Sequence, residues 1–247
     1  MQKYKVLKDP TYGYWRLDPI PAEEELSEFY KKKYTELTKK GGRAPELRRL
    51  LAGGEEAKAE LEWLRQTLYK DIRDMLHYHI HKQQRRVLDV GCGLGTFLTY
   101  MAEAGWDVVG VEPSEEEALL AREAGITVYN MTVEKFVAQY PVFKHSFDAV
   151  VLLNVLEHVP HPVKILDMTK ELLSDGGMIC LRVPNDFTEL QICAQKKAGK
   201  GQWWVAIPDH INYFNCESLV CLVKSLGFKV VQMLTDFPME LFFADGG

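Results

Sequence analysis

The sequence contains no run of about 18 apolar residues, and that length alone excludes a membrane-spanning helix. Its first residues, MQKYKVLKDP, lack the apolar stretch of a secretory signal, so a soluble, cytoplasmic chain is expected. Cysteine is scarce: Cys92, Cys180, Cys193, Cys216 and Cys221 are odd in number and scattered, with no CxxC pair. That argues for reduced thiols over a disulfide framework or a zinc site, and none of the five is a candidate nucleophile. Internal repeats and low-complexity tracts are absent too, which excludes solenoid and fibrous architectures. Nor is there an excess of positive charge. Residues 1–86 carry 19 Lys and Arg against 14 Asp and Glu, but residues 87–247 carry 11 against 21. A phosphate backbone is repelled from most of such a surface, so nucleic acid is not an expected partner.

What is present suits an enzyme-sized domain: 247 residues, 47% hydrophobic, are enough for one core and an accessory segment. Two textures divide the chain. Residues 1–82 read as an amphipathic, helix-favouring accessory segment or lid. Within it PAEEELSEFYKKKYTELTKK predicts one helix and EEAKAELEWLRQTLYKDIRDML another, the second with Leu61, Leu64, Leu68, Ile72 and Leu76 on one stripe. Residues 83–247 read as the main domain, where short apolar strands (VLDV, VVGVE, ITVYN, FDAVVLLN, GMICLRV) alternate with helical stretches. That alternation predicts an α/β, Rossmann-like three-layer sandwich with a mostly parallel sheet. Seven strands are expected, the last two, FKVVQMLTDF and MELFFA, forming a terminal antiparallel hairpin. Residues 185–214 read as a loop-like insertion. The closing ADGG, so soon after an apolar strand, raises the expectation that the natural chain runs on past Gly247.

The stretch VLDVGCGLGTFL carries a glycine-rich turn between a buried strand and a helix, with Gly91, Gly93 and Gly95 alternating. A dinucleotide fingerprint, GxGxxG, needs its third glycine at the place of Thr96, so the spacing argues against NAD. No Lys-Ser or Lys-Thr pair follows, which excludes a phosphate-loop nucleotidase. Glu112 ends the next strand, 21 residues after Gly91, where a carboxylate accepts hydrogen bonds from both hydroxyls of a ribose. An adenosine-containing cofactor that is not a dinucleotide satisfies both observations.

With Asp89–Gly95 (DVGCGLG), Glu112–Pro113 and FDAVVLLNVLEHVPHP in this order, the chain resembles class I S-adenosylmethionine-dependent methyltransferases, in particular the small-molecule branch of ubiquinone-biosynthesis O-methyltransferases. The similarity runs from about Arg86 to Val230. It implies S-adenosylmethionine as cofactor, S-adenosylhomocysteine as product and a small-molecule acceptor methylated at O, N or C. Asp89, Gly91, Cys92, Gly93 and Gly95 would then lie under the methionine part, and Glu112 with Pro113 at the ribose. Thr132 and Val133 would flank adenine, and Asn154 would face the amino-acid moiety. Tyr30 and Tyr34, four residues apart, are candidates for an aromatic lid over the sulfonium, or for plain helix packing.

In the branch this segment resembles, the place of Asn154 is usually glutamate, which with a later Glu and His serves a metal. The neutral amide here argues against a hard cation, and no metal site is expected. Glu157 and His158 then either assist acid-base chemistry or cap the loop. His210, in GQWWVAIPDHINYFN, either takes a proton from the acceptor or fixes the insertion. Trp203, Trp204 and Tyr213 are the candidate acceptor-binding residues. His77, His79 and His81 read as a favourable helix carboxyl terminus, with no site assigned. Two rivals to methyl transfer remain: a non-catalytic cofactor-binding protein and, less well supported, a nicotinamide-dependent oxidoreductase.

Overall fold

The computed structural model describes residues 3–22, 24–26, 28–29, 50, 53–199 and 201–235. They divide into two compact units interleaved along the chain. One is drawn from Met1–Leu26, Leu156–Leu166 and Val183–Gly247, the other from Ser27–Val155 and Asp167–Arg182. This division does not follow the boundary expected at residue 82.

The larger unit holds a five-stranded parallel sheet: β3 (Arg86–Val90), β4 (Asp107–Val111), β5 (Thr127–Tyr129), β6 (Phe147–Leu153) and β7 (Leu173–Arg182), in the order β5-β4-β3-β6-β7. The first six residues of β6, FDAVVL, are all buried, as a strand covered on both faces requires. Helices α3 (Thr96–Glu103), α4 (Glu115–Glu123), α5 (Val133–Gln139) and α6 (Pro162–Leu172) follow the strands in turn. Ser114 accepts from the Glu117 backbone N–H at the start of α4, and three glutamates in its first turn complement the helix dipole. Thr132 caps α5 in the same way.

The second expected helix is two, α1 (Gly54–Gln66) and α2 (Leu68–His79), broken at Thr67. Their apolar stripe packs on the core of the sheet unit: Leu64, Ile72 and Leu76 are buried there among Val87, Leu98 and Met101. Residues 54–79 are therefore part of the sheet's core and not of a separate lid. The helix expected from PAEEELSEFYKKKYTELTKK falls largely outside the described residues.

The smaller unit contains a second sheet that sequence reading missed. β1 (Lys5–Lys8), β2 (Trp15–Asp18) and β8 (Asn212–Tyr213) are antiparallel, with Trp15 opposite Tyr213 and Arg16 opposite Asn212. Tyr4, Leu17 and Tyr213 form its buried centre. The supposed loop at 185–214 also contains α7 (Glu189–Ala198), opened by a reciprocal cap between Thr188 and Gln191. Helix α8 (Cys216–Ser225) begins with a similar cap at Asn215. The expected terminal hairpin is corrected in its first half: residues 228–235 form no strand, and the stretch MELFFA lies outside the described residues. The parallel sheet thus has five described strands and not seven. No described helix is long and apolar enough to cross a membrane.

Candidate functional site

The strand order itself marks a place for a ligand. From β3 the chain winds outward through β4 to β5, then returns to lay β6 on the other side of β3. In a doubly wound sheet the crevice at such a reversal, outside the carboxyl ends of the strands, accommodates ligands. Gly91, Gly93 and Gly95 leave β3 at this point, and Asn154 leaves β6. The turn is drawn in tightly, since both Gly91 and Cys92 donate their backbone N–H to the Val111 carbonyl, at 2.7 and 3.2 Å. Gly91 has φ +73°, and a methyl group on it would come within 2.8 Å of Val155 Cγ2. Gly95, at φ +72°, opens α3, and a methyl group there would meet Ala121 Cβ at 3.0 Å. Conformation and space both demand glycine at these two positions.

Glu112 is buried just after β4 and braces the turn. Its Oε2 accepts the Gly93 backbone N–H at 2.9 Å and its Oε1 the Ser114 N–H at 2.8 Å. Each carboxylate oxygen carries two lone pairs, so one on each remains for a further donor. Burial raises the pKa of Glu112, against the lowering effect of the two N–H bonds. Asp89 is 2% exposed and its Oδ1 has no hydrogen-bond partner. Burial, and then the charge of Glu112, holds its carboxyl well above the usual range. Cys92 is also buried, its thiol pushed up by burial and by the two acids, which fits an inert thiol.

Asn130 was missed by sequence reading. Its Nδ2 donates to the carbonyl oxygens of Glu112 and Pro113 at 2.9 and 3.1 Å and so holds the loop after β4. Thr132 is exposed, and Val133 beside it is buried. Asn154 is exposed at φ +58°, with its backbone N–H on the Arg182 carbonyl and its Oδ1 accepting from Arg182 Nη1 at 2.6 Å. A non-glycine residue at positive φ carries strain that tends to mark functional loops.

A second cluster lies in the smaller unit. Glu157, 1% exposed, offers its backbone carbonyl to the N–H groups of Ile211 and Asn212, at 2.7 and 3.0 Å. The Asn212 side chain donates to the Leu156 and Val159 carbonyls, so the segments around 157 and 210 are laced together. His158 Nδ1 lies 2.8 Å from the Asp209 carbonyl oxygen, which can only accept. Nδ1 therefore carries the hydrogen, and in the neutral ring Nε2 keeps its lone pair. Burial lowers the pKa of His158, but the Asp209 carboxylate and then the charge of Glu157 more than offset this, and the net shift is upward. The His210 ring meets that of His158 edge to face at 4.9 Å between centroids. Glu157, His158 and His210 each bring one ligand atom to within 4.8 Å of the others. The argument against a metal rested on Asn154 alone and left His210 out, because nothing in its sequence position announces this neighbourhood.

The candidate acceptor-binding residues differ in exposure. Tyr213 is fully buried, its hydroxyl donating to the His210 carbonyl and accepting from the Ala206 N–H, so it closes a turn. Trp204 is 6% exposed and Trp203 partly so, the two rings edge to face at 4.9 Å. Phe187 links Trp15, stacked on it at 4.8 Å, with Trp204 at 5.7 Å. Tyr30 and Tyr34 lie outside the described residues. In the HYHIH run, His77 stacks on Trp106 and accepts its indole N–H at 2.8 Å, a packing role.

Comparison with known proteins matches residues 61–233 to the family model described as "Methyltransferase domain". Among curated relatives, a ubiquinone biosynthesis O-methyltransferase of Paraburkholderia phymatum is 37% identical over 107 residues, 41% of this chain and 45% of that protein. The chain spans about half the length of the curated relatives it matches. Two solved structures share the fold. One is the Burkholderia thailandensis 1,6-didemethyltoxoflavin-N1-methyltransferase with bound 1,6-didemethyltoxoflavin and S-adenosylhomocysteine, at TM-score 0.58, 18% identity and coverage of 94% and 88%. The other is the [4+2]-cyclase SpnF, at TM-score 0.57, 16% identity and coverage of 87% and 76%.

Proposed function

Because this chain belongs to the class I S-adenosylmethionine-dependent methyltransferase family, we propose that it transfers a methyl group from S-adenosylmethionine to an O, N or C atom of a small-molecule acceptor. The observation that carries the reading is Glu112, which braces the Gly93 turn with one lone pair on each oxygen and keeps the other free. Two parallel acceptors of this kind suit a ribose diol. The buried Oδ1 of Asp89, without a partner, suits a ligand that brings positive charge or a donor. The residues thus fit the cofactor that the family implies, which supplies an already activated methyl group when bound.

The chain's own task is alignment and exclusion of water. Glu112 holds the ribose, the turn from Asp89 to Gly95 supports the methionine part, and Pro113, Thr132 and Val133 bound the adenine. Asn154 orients the amino-acid moiety. The acceptor's proton goes to an imidazole: His158, held through Nδ1 by the Asp209 carbonyl oxygen, or His210 beside it. Trp203 and Trp204 favour a planar or partly apolar acceptor. The resemblance to a cyclase keeps a second reading in view, cofactor binding without methyl transfer, because a fold hosts more than one chemistry.

Isothermal titration tests the cofactor assignment. S-adenosylmethionine and S-adenosylhomocysteine are expected to bind the wild type one to one with micromolar affinity. Glu112→Ala is expected to weaken both by about tenfold to a hundredfold, as loss of hydrogen bonds from a charged group implies. A folded wild type that binds neither ligand would sink the reading.

A further inference from the structure

We propose that Trp15, Phe187 and Trp204 form the subsite for the methyl acceptor, and that this substrate is a neutral, planar ring system bearing a carbonyl or similar hydrogen-bond acceptor. The inference deepens the methyl-transfer reading and rests on it. All three residues belong to the smaller unit, and three observations converge on them. The first is the assembly of rings. Trp15 on β2 and Phe187 beyond β7 are both half-buried and stack at 4.8 Å between centroids, their planes 22° apart. Trp204 meets Phe187 edge to face at 5.7 Å and is steadied by Trp203 at 4.9 Å. Rings arranged in this way favour a further planar partner over an aliphatic one.

The second observation is an indole N–H without a partner. Trp204 is 6% exposed, and its Nε1 makes no hydrogen bond among the described residues. An indole nitrogen only donates, and buried polar groups are ordinarily paired. Leaving a buried donor unmatched costs free energy, so this N–H suits a hydrogen-bond acceptor brought by the substrate. Its positive end equally disfavours a cationic ring. The segment that carries it is braced, with the Val205 N–H on the Gln202 carbonyl at 3.1 Å and the Ala206 N–H on the Tyr213 hydroxyl at 3.3 Å.

The third is backbone strain at the middle ring. Phe187 has φ +56°, in the left-handed region that a bulky residue rarely occupies. The Asp186 N–H on the Phe214 carbonyl, at 2.6 Å, and the Thr188 cap of α7 pin it from either side. Strain of this kind persists where neighbours fix it, and it gathers at ligand clamps. The rings also continue toward the imidazoles. Phe187 meets Tyr213 at 5.8 Å and Tyr213 meets His210 at 6.1 Å, so the subsite lies two ring contacts from a group that takes the substrate's proton.

The test uses the full chain saturated with S-adenosylhomocysteine and ligand-observed NMR titration of small probes. Chromone, coumarin and 4-quinolone are planar and bear a carbonyl; naphthalene lacks the carbonyl, cyclohexanone the plane, and N-methylquinolinium is a cation. The three carbonyl bicycles are expected to bind more tightly than cyclohexanone and N-methylquinolinium. Trp204→Phe keeps a ring and removes the N–H, and should weaken the carbonyl bicycles about twofold to tenfold while leaving naphthalene unchanged. Phe187→Leu and Trp15→Leu should weaken bicycles and naphthalene alike, each by about twofold to tenfold. Trp63→Phe, at an exposed tryptophan on α1, should change neither. Circular dichroism on each variant confirms folding, and if Trp204→Phe does not fold, Trp15→Leu carries the test. A wild type that binds none of the carbonyl bicycles, a preference for N-methylquinolinium, or unchanged affinity in folded Trp204→Phe or Trp15→Leu would each overturn the proposal. Binding of S-adenosylhomocysteine without any probe would overturn the subsite and leave the cofactor reading standing. Failure to bind S-adenosylhomocysteine would sink that reading, and this one with it.

Discussion

Asp89 shows how a residue can be costly to the fold and useful to a site. Its carboxyl is buried, Oδ1 has no partner, and burial and Glu112 both raise its pKa. The native state therefore holds this proton more tightly than the unfolded chain does. The resulting stability is fully present below the ordinary carboxylate value near ~4 and is lost as pH rises toward the folded-state value. Asp89→Asn removes this loss. In thermal denaturation without ligand, the variant is expected to melt above the wild type by roughly 2–10 °C at pH 8, taking about 1–3 kcal/mol for a poorly satisfied buried group. The difference should shrink at pH 5. The same variant should bind S-adenosylmethionine less well, because a neutral amide no longer matches a cationic ligand. A variant that melts lower at pH 8 would show that the carboxylate is compensated in the free protein. Asp89, the glycines and Glu112 were all legible in the sequence, since their spacing is local. Asn130 was not, because an amide whose side chain bonds only to backbone carbonyls leaves no pattern of its own.

Among the elements, α2 was recognised as amphipathic, but no partner could be named for its stripe. Periodicity reveals that Leu64, Ile72 and Leu76 share a face, and it cannot name the surface that face covers. The structure buries Leu76 completely in the core that also holds Val87 and Met101. Leu76→Ala is accordingly expected to cost about 2–5 kcal/mol in the same urea transition that reports the parallel sheet. A loss confined to an early, separate transition would restore the picture of a detachable helix. β1 and β2 escaped notice for a different reason: four-residue strands are too short for a periodic signal, and the pairing of β2 with β8 spans almost the whole chain. Helix α7 is the opposite case. The sequence TELQ, a threonine with glutamine three residues on, is a readable capping box that opens it. The break in the alternation of strands and helices led to the loop assignment, and the local motif was the better guide.

For the molecule as a whole, ligand binding should be visible as stability. At 100 times its dissociation constant, S-adenosylhomocysteine stabilises a binding-competent native state by about 2.7 kcal/mol, which for a chain of this size raises the melting temperature by roughly 5–10 °C. Glu112→Ala should abolish most of that rise, and a wild type that melts at the same temperature with and without the ligand would count against the site. The order of strands and helices from β3 to β7, the glycine turn and the acid at the end of β4 were all written in contiguous residues. Alternating apolar runs and turn chemistry act over a few positions, and so they can be read one after another. Three features depended on chain closure: the interleaving of two units, the antiparallel sheet that joins residues 5–18 to 212–213, and the meeting of Glu157 and His158 with His210. Each brings together segments that neither spacing nor propensity relates, because burial and hydrogen bonding select partners by position in space and not by distance along the chain.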